Sequence, residues 1–223
     1  MSAPLEFLGT GLSPYAQYPL IVMEEKGIAY TATAVDLVDK PQWFVEQVPT
    51  GRVPALRLED GTVLCESAAI VEYLEEAYTP HMLPADPVQR ARHRMWAQVA
   101  GEIVSGLADV YMAPDAARLA AATEAFTRRL AMLDRGLADW PAPAAGQTLT
   151  LADARNAPWT RRYDALVRLG ALQPLVDARP RLRDYVARLR TQPSLRRTTP
   201  DGFEALFAAS VKRRGGAIAA AFA

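Results

Sequence analysis

Residues 51–76 constrain the fold more than any other stretch, because turn, strand and helix signals follow one another closely there. Two short apolar runs are joined by Asp60-Gly61, which is typical of a β-hairpin. Beyond the second run, apolar residues recur on one helical face, and Ser67 occupies the position expected of the helix N-cap. The first amides of that helix then point over Glu66 and Ser67, where the helix dipole favours a carboxylate. The stretch therefore predicts a hairpin that leads into an anion site.

Pro54 stands at the entry to the first of these apolar runs. A proline cannot donate to a strand ladder, so it belongs at an edge or a turn. If the Val53–Pro54 bond is cis, the N–H and C=O of Val53 face outward unpaired and offer an edge to an extended peptide. The alternative is an ordinary proline at the start of a strand. An open backbone edge beside a carboxylate site predicts a small acidic peptide as the ligand.

The elements before the hairpin complete an α/β domain of thioredoxin-like order, β-α-β-α-β-β-α. Leu5–Leu8 predicts a first strand and Thr31–Val35 a second one. Between them, Pro14–Lys26 predicts a helix with Ser13 at its cap and proline at its first position. We expect this domain to occupy residues 1–78.

Residues 79–87 are predicted to be a linker, because three prolines there forbid a continuing helix. Everything beyond is predicted to be helical, which makes residues 88–223 an all-α domain. A first long helix over about 88–112 is indicated by an apolar stripe of Val88, Ala91, Met95, Val99, Ile103, Leu107 and Val110. A second is predicted over Ala116–Asp139. The tail from about residue 214 is either disordered or folded over a cleft.

Charge and composition argue against several classes of partner. Lys+Arg and Asp+Glu both number 25, so no net charge attracts nucleic acid or an anionic membrane. No apolar run approaches the roughly 20 residues that span a bilayer, and no cationic leader precedes one. The single cysteine, Cys65, excludes an internal disulfide framework, fits the cytoplasm and is expected to be small and buried. His81 and His93 lack partners at metal-ligand spacing, so we expect both on the surface and no metal site.

Several motifs resemble, in order and spacing, those of the cytosolic glutathione S-transferases. The segments are Ser13–Gln17, Asp39–Phe44, Val53–Leu56, Glu66–Leu74, Thr150–Asp153 and Arg179–Ser194. The second of them resembles the omega class and the bacterial β-etherase-like enzymes. The resemblance implies a glutathione S-transferase (GST) fold, glutathione as co-substrate and a two-fold homodimer. The long amphipathic helices support the dimer, since their outer faces are predicted to keep apolar residues such as Val104.

The resemblance also assigns roles to individual residues. Ser13 is the catalytic candidate, whose hydroxyl would donate to the glutathione sulfur at a helix N-terminus. Lowering a thiol pKa by about 2 units takes roughly 2.7 kcal/mol; the alternative is that Ser13 only caps its helix. The resemblance implies that glutathione is held by Lys40, Val53, Pro54, Glu66 and Ser67. The candidates for a second-substrate pocket are Tyr15, Met112, Trp159 and Tyr163.

The chain departs from the omega pattern at the catalytic position. Omega-type proteins have a cysteine there, and Ser13 cannot form the mixed disulfide of thiol exchange. We therefore predict a glutathione S-transferase-like enzyme in which glutathione attacks a hydrophobic or aromatic electrophile. The reaction classes are conjugation, thiolytic ether or halide displacement, and isomerisation. The alternatives are a non-catalytic relative that binds another protein and, less favoured, a thiol-redox protein.

Arg155 and Asn156 are a second departure. They follow the predicted capping box of Thr150 and Asp153, where the family usually has apolar residues. A buried, unpaired arginine costs several kcal/mol, so Arg155 must reach a carboxylate or solvent. Either the helix turns Arg155 outward, or the two residues form a polar substrate pocket or a changed partner surface.

Overall fold

The computed structural model describes residues 5–37 and 39–219. Its first part contains a four-stranded mixed sheet and three helices. The strands are β1 (Leu5–Gly9), β2 (Tyr30–Ala34), β3 (Ala55–Arg57) and β4 (Val63–Cys65), and the helices are α1 (Pro14–Lys26), α2 (Gln42–Gln47) and α3 (Ser67–Ala77). The strand order is β2-β1-β3-β4; β1 runs parallel to β2 and antiparallel to β3, and β3 pairs antiparallel with β4. The predicted β-α-β-α-β-β-α order is confirmed.

The hairpin closes at the Asp60-Gly61 turn that the sequence predicts. Gly61 has a φ of +88°, a conformation that an L side chain rarely adopts. The Thr62 amide donates to the Asp60 carboxylate at 2.9 Å, and this bond lowers the Asp60 pKa. The Leu58 amide donates across the turn to the Thr62 carbonyl at 2.8 Å. These local bonds fix the register that brings the end of β4 to the start of α3.

The remainder of the described chain is helical, as predicted. It contains α4 (Pro87–Tyr111), α5 (Ala116–Gly136), a 3₁₀ turn (Leu137–Asp139), α6 (Leu151–Arg168), α7 (Pro180–Arg190), α8 (Pro193–Arg197) and α9 (Phe203–Arg214). After α9 the chain folds back: the Ala217 amide donates to the Ala113 carbonyl at 2.9 Å, and Ile218 is buried. Residues 220–223 of the predicted tail lie outside the described residues.

The central helix α6 begins at the predicted capping box. The Asp153 amide donates to the Thr150 hydroxyl and the Thr150 amide donates to the Asp153 carboxylate, both at 2.9 Å. Asp153 is fully buried and also accepts hydrogen bonds from Trp140 Nε1 at 3.0 Å and Arg188 Nη2 at 2.8 Å. A buried carboxylate needs this many donors to offset its lost hydration.

An ion pair joins α1 to the end of α3 and the loop behind it. Lys26 Nζ donates to Glu75 Oε2 at 2.8 Å, and both side chains are nearly inaccessible to solvent. The same carboxylate accepts the amides of Met82 at 3.0 Å and Leu83 at 2.8 Å. Lys26 Nζ also donates to the Pro80 carbonyl at 2.8 Å. The loop after α3 is therefore anchored on two buried charges.

Two expectations for α4 are wrong in its N-terminal half. Val88 and Met95, predicted core residues, are 65% and 50% exposed, whereas His93 is buried rather than on the surface. Burial lowers the His93 pKa, against an opposing effect of Asp153. The outward apolar residue predicted at Val104 is also buried. In this half the buried face runs through His93, Ala97 and Ala100, offset from the predicted stripe, whose Ala91 is exposed as well.

The structure also shows the surroundings of His81 and Cys65. The His81 side chain is exposed, as predicted. Cys65 is only half buried, since it ends β4 where the chain turns into the cleft described below. No helix in the described part of the chain is long and apolar enough to cross a membrane.

Candidate functional site

A cavity of about 320 Å³ lies where the start of α3 meets the loop before β3. It is lined by Tyr15, Arg52, Val53, Pro54, Glu66 and Ser67. Four of the five predicted glutathione contacts and one predicted pocket residue thus lie together. The fifth contact, Lys40, is an exposed residue before α2 and does not line the cavity. Arg52 was missed, because one exposed arginine beside a turn gives no sequence signal of its own.

The start of α3 is an anion site of slightly different geometry from the predicted one. Glu66 is the N-cap residue, and Ser67, predicted as the cap, is the first residue of the helix and is 6% exposed. Glu66 has a φ of +67° and is the only non-glycine residue with positive φ in the described ranges. Such a conformation costs about 1–3 kcal/mol and is often found at ligand sites. The Glu66 side chain does not cap α3, so the first-turn amides stay free for a ligand.

Val53 supplies the open backbone edge. The Val53–Pro54 peptide bond is cis, the first of the two alternatives above. Among the described residues, neither the Val53 amide nor its carbonyl has a backbone hydrogen-bond partner. An extended ligand chain in the cavity therefore finds one donor and one acceptor on Val53.

Ser13, the catalytic candidate, is the N-cap of α1; it does not line the cavity itself and lies two residues before the cavity-lining Tyr15. Its Oγ accepts the Ala16 amide at 3.2 Å, so it caps the helix, and the side chain is half buried. A hydroxyl also carries one hydrogen to donate, and no acceptor for it is found among the described residues. The capping role therefore leaves the donor free.

Arg162 of α6 forms hydrogen bonds with the turn that carries Ser13. Arg162 is 1% exposed and donates from Nη2 to the Leu12 carbonyl at 2.8 Å. Its Nη1 donates to the Pro158 carbonyl at 2.6 Å and to Gln17 Oε1 at 3.1 Å. Gln17 Nε2 in turn donates to Thr199 Oγ1 at 2.9 Å. Burial lowers the Arg162 pKa to about 10, which still leaves the side chain charged at neutral pH.

Comparison with known families assigns both halves of the chain. The model described as "Glutathione S-transferase, N-terminal domain" matches residues 12–77. The model described as "Glutathione S-transferase, C-terminal domain" matches residues 116–188, and the two together cover more than half of the 223 residues. The chain belongs to the cytosolic glutathione S-transferase superfamily.

The chain is similar to omega-class relatives, as its motifs predicted. Glutathione S-transferase omega-1 of Rattus norvegicus is 30% identical over 182 residues, which cover 81% of this chain and 74% of the relative. The crystal structure of glutathione transferase Omega 3C from Trametes versicolor matches with a TM-score of 0.77 at 29% identity, covering 90% and 91% of the two chains. A glutathione S-transferase from Methylobacillus flagellatus KT with GSH bound matches with a TM-score of 0.75 at 26% identity, covering 88% and 99%.

Of the four residues expected to line a second-substrate pocket, two are accessible. Tyr15 is 37% exposed and Met112 is 51% exposed. Trp159 and Tyr163 correct the prediction, because they are buried in the core of the helical part. Trp159 Nε1 donates to Asn156 Oδ1 at 3.0 Å, and the Tyr163 hydroxyl accepts the Val176 amide at 3.0 Å. Aromatic residues at helical spacing are more often core than pocket.

Tyr111, at the end of α4, was not predicted as a site residue. Burial raises the pKa of Tyr111; the charges of Arg162 and Arg214 oppose this, and the neighbouring Tyr15 raises the pKa further. Its ring packs edge-on against Phe207 of α9, with centroids 5.2 Å apart. Tyr111 therefore packs where α4 meets α9, a position that only the tertiary structure reveals.

Arg155 and Asn156 fit neither alternative in full. The Arg155 guanidinium is half buried, lies 5.4 Å from the centroid of the Tyr18 ring and occupies the space left by Gly101. Within the described chain it forms no ion pair. Asn156 is fully buried and donates to the Ala152 carbonyl at 3.0 Å. The tyrosine face and the missing side chain at Gly101 together accommodate an arginine without a carboxylate.

Proposed function

We propose that the protein binds glutathione in the cavity at the start of α3 and activates its thiol for attack on a hydrophobic or aromatic electrophile. One observation carries the proposal: the uncapped first turn of α3 and the unpaired backbone of Val53 border the same cavity. An anion site and a peptide edge at this spacing suit a short acidic peptide.

In this arrangement each part of glutathione has a partner. The γ-glutamyl carboxylate accepts from the Ser67 hydroxyl and the first amides of α3, and Glu66 pairs with the γ-glutamyl ammonium. The cysteinyl residue exchanges hydrogen bonds with the backbone of Val53 beside Pro54. Lys40, on its exposed loop, approaches the glycine end. These contacts place the cysteine sulfur toward the Ser13 end of the cavity.

Ser13 then acts on the sulfur. Its hydroxyl hydrogen is free to donate while its oxygen caps α1, and the α1 dipole also favours a thiolate. A charge-assisted hydrogen bond is about twice as strong as a neutral one, so it stabilises the thiolate more than the thiol. The thiolate is the nucleophile in all three reaction classes: conjugation, ether or halide displacement, and isomerisation. Tyr15 and Met112 are the proposed contacts of the electrophile.

We also propose that the protein is a two-fold homodimer in which the first part of one subunit packs against the helical part of the other. Val88 and Met95 support this, because both are large apolar side chains exposed on α4. Light scattering at micromolar concentration tests it: we expect about twice the 24.3 kDa chain mass. A monomeric mass refutes the dimer and leaves the glutathione site untouched.

Calorimetric titration with reduced glutathione tests the binding site. We expect a dissociation constant between micromolar and millimolar, weakened about tenfold or more by Ser67→Ala and by Glu66→Ala, because hydrogen bonds to charged groups contribute about 1.5–3 kcal/mol. The matched controls are Ser105→Ala and Glu102→Ala, which change exposed residues on α4. If the site variants bind as tightly as the controls, glutathione is held elsewhere.

A further inference from the structure

A larger cavity, of about 580 Å³, opens on another side of the helical part. It is lined by Arg161, Pro193, Arg196, Arg197, Thr199 and Asp201. It has no lining residue in common with the glutathione cavity. Three arginines against one aspartate make its surface basic in a chain whose overall formal charge is zero. Its volume is within the usual range for small-molecule sites, about 300–1,000 Å³.

Two of these arginines lack an anionic partner. Arg197 pairs through Nε with Glu24 of α1. Arg161 and Arg196 make no side-chain hydrogen bond or ion pair with any described residue. The Nε atom of Arg161 is completely buried without an acceptor. Because that atom is closed to solvent, a ligand in the cavity would contact Arg161 through its terminal nitrogens, Nη1 and Nη2.

The surroundings add further positive charge. The Arg161 pKa is lowered by burial; the nearby Asp164 carboxylate opposes this most strongly, and the charges of Arg168, Arg190 and Arg196 lower the pKa further. Asp164 is already paired with Arg190, and Glu204 with Arg168. Asp164 and Glu204 are therefore engaged by other arginines, whereas Asp201, which also lines the cavity, forms no ion pair with a described residue.

The cavity wall is held in place before any ligand arrives. Thr199 Oγ1 donates to the Leu195 carbonyl of α8 and accepts from Gln17 Nε2 of α1 at 2.9 Å. Thr198 Oγ1 donates to the Ser194 carbonyl at 2.7 Å. A preformed wall lowers the entropic cost of binding.

We propose that this cavity binds a phosphate group, with Arg161 and Arg196 as its principal ligands and Arg197 at its edge. Guanidinium forks match the geometry of phosphate oxygens and bind them through paired hydrogen bonds. Asp201 is the one lining carboxylate and repels an anion in the cavity, a dianion more than a monoanion, so the arginines must outweigh it. The phosphate belongs either to the free ion or to a phosphorylated small molecule, which the spare volume of the cavity can hold.

Calorimetry with inorganic phosphate and with glucose 6-phosphate tests the site at constant ionic strength in a chloride buffer. Glutathione is left out, so the result is independent of the proposed function. We expect saturable binding that weakens at least tenfold, about 1.4 kcal/mol, in Arg161→Gln and in Arg196→Gln. The matched control is Arg181→Gln, which removes the same charge from an exposed position on α7. Asp201→Asn is expected to tighten binding, because it removes the one lining carboxylate.

The outcomes separate the sources of the phosphate. Tighter binding of glucose 6-phosphate than of phosphate supports a phosphorylated ligand, and equal binding supports the ion alone. Arg196 is exposed, so its variant keeps the test valid even if Arg161→Gln does not fold. The proposal is overturned if neither probe gives saturable heat up to millimolar concentration, or if Arg196→Gln binds no more weakly than Arg181→Gln.

Discussion

Replacing Ser13 by alanine separates the two roles that the geometry allows its hydroxyl. The substitution removes the acceptor of the Ala16 amide, a bond of 3.2 Å, and it removes the free donor. Loss of the cap is expected to lower the free energy of unfolding by about 1 kcal/mol. Loss of the donor is expected to act on the thiol pKa of bound glutathione and to leave glutathione affinity nearly unchanged, since the bond is made to the activated sulfur.

The size of the kinetic effect follows from the fraction of thiolate. A thiol with a pKa of about 8.5 is roughly 3% ionised at pH 7, whereas one lowered by about 2 units is roughly 76% ionised. If the hydroxyl supplies the whole shift, Ser13→Ala reduces turnover by about 25-fold at pH 7. The loss vanishes above about pH 9.5, because both thiols are then ionised. The pH profile of the variant is displaced upward, by less than 2 units where the α1 dipole supplies part of the shift.

The assay is the thiolate absorbance of bound glutathione and the turnover of an aromatic electrophile, each measured against pH. Asp115→Ala is the matched control: Asp115 caps α5 by accepting the Arg118 amide at 2.8 Å, so its loss costs similar stability without touching the cleft. Ser13→Cys is expected to lose conjugation and to gain disulfide exchange. If Ser13→Ala keeps the wild-type pH profile and rate and loses only stability, the hydroxyl is a cap alone.

Two further predictions concern the framework around the site. Glu75→Gln is expected to lower the free energy of unfolding by about 3–5 kcal/mol, because it leaves the buried Lys26 ammonium without a counter-ion. Urea titration measures this free energy. The control Glu76→Gln changes an exposed residue and is expected to alter it by less than about 0.5 kcal/mol. Burial lowers the pKa of His93 in the folded protein, so on acidification the unfolded state takes up this proton at a higher pH than the folded state. The free energy of unfolding therefore falls as the pH drops below about 6.5, the usual pKa of histidine. His93→Gln should flatten the unfolding free energy between pH 7 and pH 5.5, and an unchanged slope would assign the acid sensitivity to other groups.

Local signals in the sequence predicted the elements well and the exact site geometry less well. Asp60-Gly61 specifies its turn through hydrogen bonds within residues 58–62, so the hairpin could be predicted. The cap of α3 could not: a serine is the usual N-cap, yet here Glu66 takes that position in a left-handed conformation. That choice depends on the path of the chain from β4 into α3, which short-range propensity does not contain.

Errors of burial have a different cause. The apolar stripe of α4 predicted that Val88 and Met95 are buried and that His93 is exposed. In the structure Val88 and Met95 are exposed and His93 is buried. Trp159 was expected at a cleft and instead packs edge-on against Phe126 of α5. In each case the neighbour that decides the environment is distant in sequence, and periodicity identifies a face without identifying what covers it.

The turn that carries Ser13 depends on both parts of the chain. Its backbone approaches α6 closely enough for the buried Arg162 to bond the carbonyl of Leu12, the residue before Ser13. Arg162 keeps its charge, since even its lowered pKa of about 10 is well above neutrality. A further hydrogen bond of Arg162, to Gln17, positions the first turns of α1 from the helical side. The residues before α4 therefore supply the surfaces that contact glutathione in our proposal, while a charge from α6 fixes the turn from which Ser13 acts.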